Sequence, residues 1–151
     1  MDFIAHYLWT YILFHNSSSL KLALILSVLP DLLSWGIWSF YILFYTRKNV
    51  TSKNIKLLPE WTFTLYGLTH SVFIFSFVFL IVMLITRTFP VYMVAWFLHI
   101  VMDIPLHSRK LFPTPFLWPI SDWKFPGINW GNKYLIIANY AIIASILWLL
   151  L

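Results

Sequence analysis

The sequence contains no cysteine, only four glycines and only five acidic residues among its 151 positions. Without cysteine, neither a disulfide nor a thiolate metal site can form. The glycines do not fall in a phosphate-binding or dinucleotide-binding pattern, so those chemistries are excluded as well. Charged residues make up 10% of the chain, against about 25% in soluble domains. Because so few charges could not cover a water-facing surface, the composition excludes an ordinary soluble domain.

Hydrophobic residues, by contrast, make up 61% of the chain, and aromatic residues make up 21%, with nine tryptophans. The mean hydropathy is +0.82, and tryptophan and tyrosine favour the headgroup zone of a bilayer. We therefore predict an all-α integral membrane bundle that forms one domain over residues 1–151. Five apolar segments predict four to five transmembrane helices: 3–15, 20–45, 61–85, 91–106 and 134–151. The first is short for the ~30 Å hydrocarbon core, and Pro30 should interrupt the second.

The connections between the apolar segments predict the orientation of the chain. Eight of the ten basic residues lie between segments two and three or between segments four and five: Arg47, Lys48, Lys53, Lys56, Arg109, Lys110, Lys124 and Lys133. Only Lys21 and Arg87 fall on the other side. This bias predicts that the two basic connections face the cytoplasm. We expect membrane lipids as their partners and no nucleic acid, because the charges flank membrane segments.

The connection at 108–132 is rich in proline and tryptophan. Its sequence "FPTPFLWPISDWKFPGINWG" contains four prolines, which exclude a regular helix. The aromatic side chains predict a structured cytoplasmic lid that packs on the membrane face.

Ionisable side chains inside the apolar segments are the unexpected feature of this chain. Each costs about 2.5–3.5 kcal/mol on insertion scales, yet five lie there: His6, Asp31, His70, His99 and Asp103. We predict that they face one interior cavity and share a metal site. Imidazole and carboxylate are ordinary ligands of divalent ions such as zinc, so we expect one or two zinc ions.

The motif "LHIVMD" places His99 and Asp103 four residues apart, on one face of a helix. His107 would continue this face. However, Pro105 removes a backbone hydrogen bond, so the helix should kink or end there and leave His107 free to turn away.

Two shorter motifs contribute the other central residues. "LPDLL" places Asp31 directly after Pro30, in a broken helix that suits a cavity better than lipid. "GLTHS" places His70 between the hydroxyls of Thr69 and Ser71, either of which could orient a ligand.

Structural interpretations of the same residues remain open. An HxxxD spacing is common by chance, and His6 and His107 are each as compatible with hydrogen-bonded packing as with a site. Asp31 could cap the second half of a broken helix. Asp103 could pair with a cation of the basic loop, such as Arg109.

The order of these motifs resembles a known family. An early histidine followed by "LPD", "THS", "LHIVMD" and "LWP" is similar to the bacterial membrane-bound metal-dependent hydrolase-like family, whose members are small inner-membrane proteins. The resemblance extends from His6 to Pro119. It implies that His6, Asp31, His70, His99 and Asp103 occupy the polar motif positions of the family. Where many members carry a second acid and a further histidine, this chain has Leu33 and Leu65. The HxxxD element is also similar, locally, to that of zinc-dependent phospholipase C.

Three functions are compatible with these observations. The first is a metal-dependent hydrolase of a membrane-presented phosphoester, another ester or a lipid-linked substrate, with Asp31, Asp103 or His107 as the catalytic base. The second is a transporter component in which the buried residues relay protons or ions, and a homo-oligomer would suit so small a bundle. The third is a structural subunit whose polar residues hold helices together, although each such bond contributes only about 0.6 kcal/mol.

Overall fold

The structure, a computed structural model, describes residues 1–46, 59–110 and 112–150. Within these ranges the chain forms helices and turns, and no strand. The α-helices are α1 (Phe3–Phe14), α2 (Leu20–Asp31), α3 (Ile37–Tyr41), α4 (Glu60–His70), α5 (Val72–Thr86), α6 (Val94–Leu106) and α7 (Lys133–Leu150). Two π-helical segments, Leu32–Gly36 and Ile42–Thr46, flank α3, and a 3₁₀ turn, Val91–Met93, precedes α6.

Helices α1, α2 and α6 form the centre of the bundle. Asp2 caps α1, because its carboxylate accepts a hydrogen bond of 3.0 Å from the amide of Ala5. Ala23 and Ala95 are completely buried and pack with Phe14. Small side chains let helix backbones approach closely in a membrane, so these alanines bring α2 and α6 together.

The second apolar segment is not interrupted at Pro30, and that prediction was wrong. Residues Leu20–Phe44 form one continuous apolar helix with Pro30 inside it. The π-helical turn Leu32–Gly36 follows at once, and the Ser34 hydroxyl donates a hydrogen bond of 2.7 Å to the carbonyl of Pro30. A locally widened helix with side-chain compensation is a known way to accommodate proline. Asp31 lies at the junction of the two helix types.

The third apolar segment is broken instead, at a position that the sequence pattern did not indicate. Helix α4 ends at His70, Ser71 is extended (φ −92°, ψ 131°), and α5 starts at Val72. The two helices are bent by 55° relative to each other.

By length and composition, two helices in the described ranges qualify as membrane spans, Leu20–Phe44 and Lys133–Leu150. The bent pair α4 and α5 gives a third if it counts as one span. Phe3–Phe14 and Val91–Leu106 are apolar but shorter. The chain is therefore a helical membrane protein with two to three candidate spans, and the predicted number of four to five is not confirmed.

The connection between the second and third segments lies mostly outside the described residues. The 108–132 connection, apart from residue 111, is described and folds back on the helices without forming one itself. The amides of Ile128 and Trp130 donate hydrogen bonds of 2.8 and 3.0 Å to the carbonyls of Pro105 and Leu106. These bonds tie the loop to the end of α6.

Candidate metal centre

Four ionisable side chains meet in the interior of the bundle. Asp31 comes from the end of α2, His70 from the end of α4, and His99 and Asp103 from α6. Each offers one donor atom, and all four donor atoms lie within 4.8 Å of one another. We call these four residues the His/Asp cluster.

The spacing of the donor atoms matches the size of a divalent ion's coordination shell. The Nε2 atoms of His70 and His99 are 3.1 Å apart. The distances from these two nitrogens to Asp31 Oδ1 and Asp103 Oδ2 lie between 3.5 and 3.8 Å. Tetrahedral zinc bonds of 2.0–2.2 Å imply donor–donor distances of about 3.3–3.6 Å. The four side chains therefore need only small shifts to surround one ion.

Hydrogen bonds on the far side of each ring fix the histidine tautomers. His99 Nδ1 lies 2.7 Å from the carbonyl oxygen of Ser27, which can only accept, so Nδ1 carries the proton. The Thr69 hydroxyl donates to the carbonyl of Leu65 and lies 2.8 Å from His70 Nδ1, so it accepts from that nitrogen. Both Nε2 atoms then present lone pairs to the cluster. Such outer hydrogen bonds are typical of metal-binding histidines.

Asp103 supplies a second indication that the cluster fits a cation. Its side chain is completely buried, and within the described part of the chain its Oδ2 makes no hydrogen bond. A buried carboxylate oxygen without a partner carries a large desolvation cost. Two facing lone pairs and this oxygen are the arrangement that a bound divalent ion would satisfy.

His6 lies beside the cluster but contacts a different oxygen. Its Nε2 donates a hydrogen bond of 3.0 Å to Asp103 Oδ1, which the amino group of Met1 also contacts. The His6 ring stacks on that of His99, with centroids 3.8 Å apart. These contacts orient Asp103 so that Oδ2 faces the other donors. The role of His6 as a metal ligand stays a prediction.

His107 turns toward the cluster. Helix α6 ends one residue after Pro105, as predicted, and His107 adopts an extended backbone. The expectation that His107 would turn away was wrong, because its buried ring faces Asp103. Its Nδ1 lies 3.0 Å from the Thr114 hydroxyl, 3.3 Å from the Tyr66 hydroxyl and 3.7 Å from Asp103 Oδ2. His107 therefore links the cluster to Tyr66 and to the proline-rich loop.

The break between α4 and α5 positions His70, and the proline-rich loop supports the break. The Ser71 hydroxyl accepts hydrogen bonds from two amides in the first turn of α5 and donates one to the carbonyl of Trp118. The amide of Val72 donates a hydrogen bond of 3.0 Å to the carbonyl of Phe116. The loop thus pairs with polar groups that the helix break frees.

Two glycines allow the loop to approach. A Cβ atom at Gly67 would lie 2.9 Å from the ring of Trp118, which packs on this face of α4. A Cβ atom at Gly127 would lie 2.7 Å from the carbonyl oxygen of Pro105. Any larger residue at either position would push the loop away from the helices.

The structure contains neither of the two structural alternatives, a helix cap by Asp31 or an ion pair between Asp103 and Arg109. Arg109 donates a hydrogen bond of 2.7 Å to the carbonyl of Lys124, and it does not pair with Asp103. Asp31 makes no side-chain cap hydrogen bond at the helix segment that follows it. Tyr66, which contacts both His70 and His107, was missed. Its four-residue spacing from His70 was the available signal.

Comparison of the chain with protein-family models, with curated proteins and with solved structures finds no match. The class of protein is therefore defined from its fold and its site alone. This is a helical membrane protein with a buried His/Asp group that could bind a metal ion.

Proposed function

We propose that this protein is a metal-dependent hydrolase that acts on a phosphoester or another ester presented at the membrane. The observation that carries the proposal is the convergence of four donors at the spacing of a metal shell. Zinc is the expected ion because two neutral imidazoles and carboxylates are among its usual ligands.

The burial of the four side chains suggests a division of roles. His70, His99 and Asp103 are completely buried, whereas the side chain of Asp31 is 14% exposed. Catalytic zinc sites have three protein ligands and one open position. We assign the three buried residues as ligands and Asp31 as the general base that accepts a proton from the attacking water. A bound divalent ion would polarise the ester and lower the pKa of water at the site.

The membrane setting is part of the proposal. We propose that Phe3–Phe14 and Val91–Leu106 enter the bilayer together with the longer helices, which gives four to five membrane segments. The basic connections would face the cytoplasm of a bacterial inner membrane. A hydrolase so placed would act on a lipid or a lipid-linked substrate. The resemblance to membrane-bound metal-dependent hydrolases supports this reading, and so does the presence of the five polar motif residues in or beside the cluster.

Metal analysis of purified protein tests the proposal. The wild type should contain zinc in stoichiometric amount. Removing a residue that only orients a ligand lowers metal affinity by about 10- to 100-fold. His99→Ala and Asp103→Asn remove ligands themselves, so each should lower the affinity by at least that factor. His15→Ala is the matched control, because His15 Nδ1 lies 2.8 Å from the carbonyl of Ile12 and outside the cluster. Gel filtration in detergent checks that each variant is folded.

A hydrolysis assay on phospholipids, lipid-linked phosphates and other esters follows. Wild type should be active, and Asp31→Asn should lose turnover while it keeps metal. Full metal content in both the His99 and Asp103 variants would overturn the metal site. Metal binding without hydrolysis of any of these substrates would overturn the enzyme and point to Leu33 and Leu65 as the lost catalytic positions.

A second candidate function is proton relay, favoured by the contacts that run from Tyr66 through His107 to Asp103. Such chains of ionisable groups mark proton paths in membrane proteins. Proteoliposomes with an internal pH dye would detect it as proton flux that Tyr66→Phe reduces. Absence of flux in the wild type would exclude this candidate.

A further inference from the structure

A cavity of about 390 Å³ lies between α4 and the proline-rich loop. Its walls include the aromatic side chains Phe63, Phe112 and Trp118, and the charged groups that line it within the described ranges are Glu60, Asp122 and Lys124. Ligand sites are typically concave, 300–1,000 Å³ in volume and mostly apolar with a few polar groups. The cavity has these features and lies outside the His/Asp cluster.

Tyr66 connects this cavity to the cluster. Its side chain lines the cavity and is only 3% exposed. The Tyr66 ring lies 4.1 Å from that of His70, centroid to centroid, and its hydroxyl lies 3.3 Å from His107 Nδ1. A molecule in the cavity would therefore be one side chain away from the candidate metal centre.

The charges of the cavity indicate what it would hold. Among the residues that the structure describes, two carboxylates and one ammonium line it, so it offers partners for a positive and a negative group at once. Aromatic walls attract organic ammonium groups through cation–π interactions. Partial burial lowers the pKa of Lys124, and the neighbouring Asp122 opposes that effect. Lys124 and Asp122 line the same cavity, so it can hold ligand groups of opposite charge.

We propose that this cavity binds an aminoalkyl phosphate, with the phosphate near Lys124 and the ammonium near Glu60 and Asp122. The zwitterionic headgroup of phosphatidylethanolamine has this chemistry, and so does soluble glycerophosphoethanolamine. The inference rests on the proposed function in one respect, because it names the substrate class that the neighbouring centre would hydrolyse. Binding itself does not require hydrolysis.

Lipid titration of the purified chain in a non-ionic detergent, followed by native mass spectrometry, tests this site. Phosphatidylethanolamine should bind more tightly than phosphatidylglycerol, which has a phosphate but no ammonium. In Glu60→Gln and Asp122→Asn the preference should fall by about two- to fivefold each, the effect expected for an exposed ion pair. Lys124→Gln should weaken binding of both lipids.

Lys110→Gln is the matched control for Lys124. Lys110 is an exposed lysine of the same connection that does not line the cavity, so its loss should leave both affinities unchanged. Equal affinity for the two lipids, or preference for phosphatidylglycerol, would overturn the proposal. An equal effect of the Lys110 and Lys124 variants would also overturn it, because general surface charge would then explain binding.

A second arm identifies the source of the ligand. Glycerophosphoethanolamine as a competitor should displace the lipid if the cavity recognises the headgroup alone. Displacement at concentrations far below those of the lipid would assign the site to a soluble aminoalkyl phosphate. If neither phosphatidylethanolamine nor glycerophosphoethanolamine binds, the proposal is overturned. Zinc content measured on the same samples separates this failure from that of the metal centre, because the cavity variants should keep their metal.

Discussion

The two histidines of the cluster depend on neighbours outside the cluster. His99 donates to a backbone carbonyl, that of Ser27, which no substitution of a side chain can remove. His70 donates instead to the hydroxyl of Thr69. The orientation of the His70 ring therefore depends on one side chain, that of Thr69, which is not itself a member of the cluster.

Replacement of Thr69 by valine tests this dependence. Thr69→Val keeps the shape of the side chain but removes the acceptor for His70 Nδ1, so metal affinity should fall by about 10- to 100-fold. Thr64→Val is the matched control, because Thr64 makes the same kind of bond to its own helix, 3.3 Å to the carbonyl of Glu60, without touching a histidine. Zinc titration against a competing chelator measures both. Equal affinities in the two variants would refute the assigned tautomer.

The role of His6 is decided by two substitutions at one position. If His6 orients Asp103 through a donated hydrogen bond, His6→Gln should keep most of the metal affinity, because the amide nitrogen can still donate. His6→Leu should lower affinity by about 10- to 100-fold while one ion remains the stoichiometry at saturation. If His6 is a ligand of a second ion, both variants should lose one equivalent of zinc by elemental analysis.

At the scale of elements, the bent pair of α4 and α5 determines where His70 lies. A straight helix from Glu60 to Thr86 would leave no extended residue at Ser71 to receive the loop. The loop contributes the carbonyls of Phe116 and Trp118 to the break. The helix break, the loop and His70 therefore form one structural unit.

Gly67→Ala should disrupt this unit. The added Cβ would lie 2.9 Å from the Trp118 ring, and overpacking of this kind costs about 1–3 kcal/mol of unfolding free energy. Gly36→Ala is the control, because its Cβ would meet side chains and backbone only at 3.7 Å or more. Because alanine favours a helix more than glycine does, the Gly36→Ala variant should gain up to about 1 kcal/mol of unfolding free energy. Unfolding in a mixed detergent series measures both, and equal stabilities would show that the loop does not pack on α4 as described.

At the scale of the whole molecule, the side of the membrane on which the cavity lies determines which leaflet would supply its lipid. The cavity lies between Glu60 and the proline-rich loop, and the charge bias predicts that both face the cytoplasm. Its proposed ligand would then come from the inner leaflet. The turn after α5, which contains Arg87, should lie on the opposite side.

Single cysteines report this directly, because the native chain has none. Ile120 is 70% exposed, and Arg87, with a left-handed φ of 53° at the end of α5, is exposed as well. In intact cells an impermeant thiol reagent should label Arg87→Cys and should reach Ile120→Cys only after permeabilisation. The reverse pattern would invert the topology without affecting the cluster.

The sequence by itself determined the class of protein and a set of five candidate residues, which includes the four of the cluster and His6. A composition with 10% charged residues requires lipid around it, and ionisable residues in apolar helices are too costly to face that lipid. Asp31, His70, His99 and Asp103 were therefore identifiable before any contact was known. The HxxxD spacing fixed the one pair that shares a helix face.

Only the tertiary structure decided how these residues are used. The position of proline did not predict where a helix breaks. Pro30 lies within a continuous helix and is followed by π-helical turns, whereas the break occurs at Ser71, which has no proline beside it. The separation of His6 from the four donors, the tautomers of the histidines and the cavity behind Tyr66 all depend on contacts between residues far apart in the chain. Periodicity and spacing describe one helix at a time, so they carry no information on which face of a neighbouring helix, or which turn of a loop, completes a site.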